Sequence, residues 1–166
     1  MKLELQQKLR DISPDFYRDL AYFEVDDGWY EMLDEFSHNI NRKLSELTSS
    51  ESLPCKGCDG IYPKDEHPAR ELTNDDWEDT YMKEFCKEYL PEIPRVSQLK
   101  SKFATLVIYL DKNCQSIEVL VKEVEHKSTT VCEDCGLHGK LLRYGGWHLT
   151  LCDPCEKKQK SYTAHT

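Results

Sequence analysis

Apolar residues recur at three- or four-residue steps along two stretches of the chain, which is the spacing of one buried face of a helix. The longer stripe begins at Trp29 and ends at Leu47, so it predicts a core helix with a solvated opposite face. Before it, up to about Glu24, the pattern predicts two short helical pieces, the second with Ser13 as its N-cap and Pro14 at its first position.

Later in the chain, a region with the composition and alternation of β-strands is followed by a second helical stripe. Residues 96–110 are rich in β-branched and aromatic side chains, and Leu106, Ile108 and Leu110 share one face of a strand, so a hairpin or a small antiparallel sheet is predicted. The second helical stripe follows, with Asn113 as its N-cap and an end near Ser128. Its inner face is formed by Cys114, Ile117, Val121 and Val124.

After the first helical stripe, the chain enters a segment with neither the helical nor the strand period. Residues 48–73 are rich in Ser, Pro, Gly and charged side chains, and we interpret them as a long excursion from the core. Loops of this length are uncommon in compact domains, so the Cys-x-x-Cys pair inside it, Cys55 and Cys58, is a candidate to fix it in place. A helix is expected to begin at Asn74, with aromatic side chains at four-residue steps.

Cysteine spacing in the last third of the chain points to a metal. Cys132 and Cys135 form one Cys-x-x-Cys pair, Cys152 and Cys155 form another, and 16 residues separate the pairs. This is the spacing of a structural zinc site with two tight turns. Because four thiolates close the coordination shell, the predicted zinc ion has no position for a catalytic water.

The insert between the two cysteine pairs predicts a hairpin with a Gly-Gly turn at residues 145–146. Period-two alternation places Tyr144 beside Trp147 on one face. Arg143 and His148 lie together on the other. These four residues are candidates for partner contact, because Trp, Tyr and Arg are frequent at interface hot spots. The alternative for the aromatic pair is burial against the protein's own helices.

A second metal site would need ligands in addition to Cys55 and Cys58. His67 and Cys86 are the candidates, so a second zinc ion is one interpretation of the excursion. In the other, Cys55 and Cys58 are ordinary loop thiols and Cys86 is a small core residue. The sequence leaves both open.

Composition and charge narrow the class of protein. No apolar run approaches the ~20 residues of a membrane helix, and the charged N-terminus lacks a leader pattern, so we expect a cytoplasmic protein. In that reducing compartment, eight cysteines favour metal binding over disulfides. The formal net charge of -9 disfavours extended contact with a phosphate backbone and favours a protein partner.

Several motifs, in this order, resemble a family of small proteins encoded by bacteriophages and prophages. They are Asp27-Gly-Trp-Tyr30 at the start of the long helix, Gln98-Leu-Lys-Ser-Lys-Phe103 before a strand, and Cys132-Glu-Asp-Cys135-Gly136 with Gly146-Trp147 and Thr150-Leu-Cys152. The resemblance covers residues 26–47 and 96–156, and Ala104 stands where the family pattern has a glycine. It implies a viral origin and a zinc ribbon, and it implies no activity.

These patterns predict an α+β protein with a helical core, a small antiparallel sheet or hairpin and a C-terminal zinc ribbon. The expected organisation is a core domain over residues 1–130 that contains the excursion, a ribbon over 131–157 and a flexible tail over 158–166.

The expected function is that of a phage-encoded accessory protein that binds and modulates a host protein, such as a defence or transcription factor, without catalysis. The alternative is direct binding of nucleic acid by the ribbon and the basic tail. Its cationic side chains would be Lys140, Arg143, His148, Lys157, Lys158 and Lys160. A third possibility is a nuclease or nucleotide hydrolase with its site within residues 55–77.

Overall fold

The computed structural model describes residues 1–49, 52–54, 61–63, 94–144 and 146–163, and this part of the chain mixes helices with small sheets. The helices are α1 (Leu3–Ile12), α2 (Tyr30–Ser49, preceded by a 3-10 turn at Asp27–Trp29), α3 (Gln115–Ser128) and α4 (Asp153–Thr163). The strands are β1 (Phe23–Glu24), β2 (Ser52–Pro54), β3 (Ile61–Pro63), β4 (Val96–Lys102), β5 (Thr105–Leu110), β6 (Lys140–Tyr144) and β7 (Trp147–Leu151). The predicted α+β class is confirmed.

The chain divides into two compact units. One combines Met1–Asn41 with Pro94–Thr166, and the other is Arg42–Ile93. This division differs from the predicted one, which separated a core over 1–130 from a ribbon over 131–157. The physical reason is that the ribbon shares hydrogen bonds and close backbone contacts with the N-terminal segment and the sheet.

Helix α2 carries the longest buried stripe. Five side chains of the predicted stripe are buried, namely Trp29, Leu33, Phe36, Ile40 and Leu44. Residues before α2 complete this core, where the Tyr17 ring lies 5.2 Å from that of Phe16 and 5.0 Å from that of Phe23. The predicted core helix is therefore confirmed.

The second N-terminal helical piece does not form, so the prediction of Ser13 as an N-cap is wrong. Ser13 instead ends α1, where its backbone N–H donates to the Leu9 carbonyl at 3.1 Å. Its hydroxyl donates to the Ser37 carbonyl of α2 at 3.0 Å. Because this hydroxyl is committed to α2, it does not cap a new helix, and the chain continues from Pro14 in turns.

The central sheet has the order β1-β4-β5. The predicted antiparallel pairing of β4 with β5 is present, and β1 adds a parallel strand that the sequence did not predict because it is only two residues long. On the far side of β5, the amides of Leu106 and Ile108 donate to Ser128 Oγ and Glu125 Oε1 of α3, each at 2.9 Å. Helix α3 therefore covers one edge of the sheet.

A two-residue turn joins β4 to β5. Phe103 and Ala104 have φ angles of 53° and 64°, the left-handed values that a type I′ hairpin turn requires. The tight turn thus forms although neither residue is glycine. The carbonyl of Ala104 accepts a hydrogen bond from the Thr150 hydroxyl at 3.1 Å, which anchors the turn to β7.

Helix α3 ends at Ser128 as predicted but begins differently. Its N-cap is Cys114, without a side-chain capping bond, so the prediction of Asn113 as the cap is wrong by one residue. Of the predicted inner face, Ile117, Val121 and Val124 are buried, whereas Cys114 precedes the helix and is only half-buried.

Strands β6 and β7 form the predicted hairpin between the cysteine pairs, in antiparallel register. Helix α4 follows directly and extends to Thr163, whereas a flexible tail was predicted from residue 158. An ion pair between Lys160 and Glu156, four residues apart on this helix, is one contact that supports it.

Only part of the predicted excursion is described. Strands β2 and β3 pair in antiparallel fashion inside it. The second-site candidates Cys55, Cys58, His67 and Cys86 lie outside the described residues, as does the helix predicted from Asn74. None of the helices in the described ranges combines the length and the apolar character needed to cross a bilayer.

Candidate metal centre

Two tight turns bring the four predicted cysteines of the ribbon together. The first knuckle, residues 132–136, is closed by a hydrogen bond from the Gly136 amide to the Cys132 carbonyl at 2.9 Å. Gly136 has a φ of +79°, a left-handed value that glycine adopts without steric cost. In the second knuckle, residues 152–156, the Glu156 amide donates to the Cys152 carbonyl at 2.9 Å.

The sulfur atoms have the spacing of a single metal site. The ligand atoms of Cys132, Cys135, Cys152 and Cys155 all lie within 4.8 Å of one another. The Sγ atoms of Cys135 and Cys152 are 3.5 Å apart. With metal–sulfur bonds of about 2.3 Å, tetrahedral geometry requires sulfur–sulfur distances of roughly 3.8 Å. The four thiols therefore fit one four-coordinate ion.

Local electrostatics favour the thiolate form at one ligand. The backbone amide of Cys155 points at the Cys152 sulfur and is the main cause of the lowered pKa of this thiol. A hydrogen bond to the charged form of an acid stabilises that form. The same amide would stabilise a metal-bound thiolate at Cys152, whereas burial raises the pKa of the Cys155 thiol in the same cluster.

The hairpin places a small apolar cluster beside the ligands. Cys132, Cys152 and Leu151 are buried together, with Leu142 and Leu149 packed against them. Leu142 and Leu149 are directly opposite each other in the hairpin and so share one face. This face of the ribbon buries Cys132 and Cys152, whereas Cys135 is exposed and Cys155 is half-buried.

Gly28 joins the core to the first knuckle at backbone-to-backbone distance. Its amide donates to the Glu133 carbonyl at 2.8 Å, and the indole Nε1 of Trp29 donates to the Val131 carbonyl at 2.9 Å. A Cβ atom at Gly28 would lie 2.3 Å from the carbonyl oxygen of Cys132. Only glycine allows this approach, so the Asp-Gly-Trp motif is the docking point of the metal ribbon.

Glu133 lies between the two ligands of the first knuckle, is buried, and makes three hydrogen bonds to β7 and β4. Its Oε1 accepts from the Thr150 amide at 2.8 Å, and its Oε2 accepts from the Ser101 hydroxyl at 3.0 Å. Its own amide donates to the Thr150 carbonyl at 2.9 Å. Burial raises the pKa of this carboxyl, while the bonds from Thr150 and Ser101 oppose the rise. Glu133 thus ties the knuckle to β7 and β4.

The backbone register of the hairpin agrees with the predicted alternation. Tyr144 pairs with Trp147, and Arg143 pairs with His148. Trp147 is 78% exposed, so burial against the protein's own helices is wrong for this side chain. The His148 ring lies 5.8 Å from the ring of Phe103, which is itself 70% exposed.

The basic side chains near the ribbon are mostly paired with carboxylates. Lys140 contacts Asp153 at 2.7 Å, and Lys158 contacts Asp134 at 3.7 Å. Lys160 contacts Glu156, as described above. Three of the four lysines proposed for nucleic-acid contact are therefore neutralised locally, which weakens the case for the tail as the binding element.

Sequence reasoning missed Gly28 and Glu133 as parts of this centre. The resemblance did place Asp27-Gly-Trp-Tyr30 in one pattern with the cysteines, and that shared pattern was the available signal for Gly28. Glu133 offered none, because a charged residue inside a Cys-x-x-Cys turn is ordinarily solvent-exposed.

Comparison of the chain with protein-family models, with curated proteins and with solved structures finds no match in any of the three.

Proposed function

We propose that this chain is a phage-encoded zinc-ribbon accessory protein that binds a host macromolecule in the bacterial cytoplasm and acts without catalysis. The observation that carries the proposal is the exposure of large aromatic side chains on a metal-fixed unit. Trp147 and Phe103 are 78% and 70% exposed, although both lie on short hairpins held by the ribbon contacts. Rigid exposed aromatics are frequent interface anchors.

Zinc is the ion we assign to the four-thiolate site. Soft thiolate donors in tetrahedral arrangement suit zinc, and the closed shell leaves no open position for chemistry. The ion would hold the two knuckles in place. The hydrogen bonds of Gly28 and Glu133 would then hold the first knuckle against the core and the strands.

The resemblance to phage proteins supports the viral part of the proposal. Two of its motifs, Asp27-Gly-Trp-Tyr30 and Cys132-Glu-Asp-Cys135-Gly136, are in direct backbone contact through Gly28. A pattern whose separate parts meet in space is expected when those parts act as one unit.

The test is capture of host components on immobilised protein, followed by mass spectrometry and nucleic-acid analysis of what is retained. Three proteins are compared: the natural chain, the double variant Arg143→Ala with His148→Ala, and Trp147→Ala. The matched control is Val119→Ala, which removes another exposed apolar side chain, on α3. Metal content and melting temperature are required to match in all four.

We expect a macromolecule that the natural chain and Val119→Ala retain and that the ribbon variants lose. Equal capture by all four proteins would move the interface away from the ribbon. Turnover of a nucleotide or a nucleic acid by the purified chain would refute the non-catalytic proposal.

A further inference from the structure

The outer face of the central sheet carries lysines and aromatic rings that are exposed or half-buried. Leu99 and Ile108 pair on the inner face and are buried. By alternation, the neighbouring pairs lie on the opposite face. These pairs are Gln98 with Tyr109, Lys100 with Val107, and Lys102 with Thr105. Tyr109 is 43% exposed.

Cations and rings alternate along this face and continue onto the ribbon. Lys100 Nζ lies 5.3 Å from the centroid of the Tyr109 ring, and Lys102 Nζ lies 5.7 Å from that of Phe103. The ring of Phe103 is in turn next to His148 of the ribbon hairpin. We call this surface the aromatic-basic face; it consists of Lys100, Lys102, Phe103, Tyr109, Arg143 and His148, with Arg143 directly opposite His148 in the hairpin.

The cations of this face differ from many others in the part of the chain that the structure describes. In the described ranges, no carboxylate pairs with Lys100, Lys102 or Arg143, and Lys100 donates only to the amide oxygen of Gln98, at 2.8 Å. Glu24 of β1 is the register partner of Lys100 and brings one carboxylate to the same face, where it accepts a hydrogen bond from Gln98 Nε2 at 3.4 Å. Three cations therefore share this face with one carboxylate, so a net positive charge lies beside exposed rings in a chain of net charge -9.

We propose that the aromatic-basic face binds single-stranded nucleic acid, which rests on the proposed binding function and names its partner class. Unpaired bases can stack on Phe103 and Tyr109, while Lys100, Lys102 and Arg143 meet the phosphates. A duplex keeps its base faces stacked inside, out of reach of these rings. The two lysines favour a nucleic acid over a protein partner, because lysine is depleted at protein–protein interfaces, whereas Phe, Tyr and Arg are common at both kinds of interface.

The negative net charge of the chain limits the length of strand that can bind, and the few cations limit the salt dependence of the affinity. With three cations at the site, the affinity for a single strand should fall with salt with a log–log slope of roughly -2. The rest of the acidic surface repels a long polyanion, so only a short stretch of the strand is held. Stacking then supplies the part of the affinity that does not depend on salt.

The experiment measures fluorescence anisotropy of labelled oligonucleotides of about 12 nucleotides, within the usual footprint of single-strand binders. Single-stranded oligothymidine and oligouridine are compared with a DNA duplex of equal length. The variants are Tyr109→Ala, Phe103→Asn, and the pair Lys100→Gln with Lys102→Gln. The control is Lys122→Gln, an exposed lysine on α3. All proteins must retain the same metal content and melting behaviour, except that Phe103→Asn is allowed to melt higher.

We expect single strands to bind more tightly than the duplex. Loss of either ring should weaken binding about 5- to 150-fold, and loss of both lysines should flatten the salt slope by about 1.4. The control variant should bind as the natural chain does.

Absence of binding at about 50 mM salt, tighter binding of the duplex, or equal affinity of all variants would overturn the inference. Failure here is distinct from failure of the proposed function. If a host protein is captured through Arg143 and His148 while no oligonucleotide binds, the nucleic-acid inference is wrong and the proposed function stands.

Discussion

Replacing Gly28 by alanine tests how the metal ribbon is attached to the core. The added Cβ would lie 2.3 Å from the Cys132 carbonyl oxygen, 2.4 Å from that of Glu133 and 2.6 Å from the Cys135 amide nitrogen. All three are backbone atoms of the first knuckle, so no side-chain rotation relieves the contact. Ordinary contact begins near 3.4 Å, and the knuckle would have to withdraw by about 1 Å.

The expected cost follows from what that withdrawal breaks. Overpacking of a close contact costs about 1–3 kcal/mol. The hydrogen bonds from Gly28 N and Trp29 Nε1 to the knuckle would lengthen as well, at about 1 kcal/mol each. The free energy of unfolding should therefore fall by about 3–5 kcal/mol, a large part of the ~5–15 kcal/mol typical of a domain.

The assay is urea unfolding of the metal-loaded protein, with metal affinity measured in parallel by competition with a chelator. Because two of the clashing atoms belong to ligand residues, affinity for the metal should fall together with stability. Gly146→Ala is the matched control, since a methyl group at this ribbon glycine meets nothing within 4 Å. A Gly28→Ala protein within about 0.5 kcal/mol of the natural chain, with unchanged metal affinity, would refute this account of the docking.

Three further substitutions test other contacts by urea unfolding. Glu133→Ala should lower the free energy of unfolding by about 2–4 kcal/mol, because the Thr150 amide and the Ser101 hydroxyl lose their acceptor. Glu133→Gln should cost less than half of that. Equal losses in the two variants would contradict this role of Glu133. Ser128→Ala should cost about 1–3 kcal/mol by leaving the Leu106 amide without an acceptor, and Thr129→Ala, whose hydroxyl bond is exposed, should be nearly neutral. Phe103→Asn should raise stability by about 0.5–1 kcal/mol, since asparagine tolerates the left-handed φ better than phenylalanine; a loss of stability would show that the ring contacts outweigh the strain.

Short-range pattern predicted much of this fold. The stripe ending in α2, the β4–β5 hairpin and the two Cys-x-x-Cys turns each depend on residues close in sequence, where periodicity and spacing act directly. The same local logic failed at Ser13, because its hydroxyl bonds to Ser37, which lies 24 residues further along.

The contact between the ribbon and the core could not be predicted from the sequence, for a different reason. Gly28 and the first knuckle are about a hundred residues apart, and they meet through backbone atoms that every residue type carries. The contact is possible because Gly28 has no side chain. A hydrophobic pattern depends on side chains, so it does not reveal such a contact. Likewise, the ion pairs of Lys140 and Lys158 depend on how α4 lies against the ribbon, so composition alone made that region look freely basic.

Metal content of the purified protein tests whether the four-cysteine cluster binds one zinc ion. Zinc per chain is measured under reducing conditions for the natural chain, for Cys152→Ser and for Cys114→Ser, whose thiol lies outside the four-cysteine cluster. We predict that Cys152→Ser loses one zinc equivalent and that Cys114→Ser loses none. A natural chain without zinc, or a Cys152→Ser protein with unchanged zinc and unchanged stability, would contradict it.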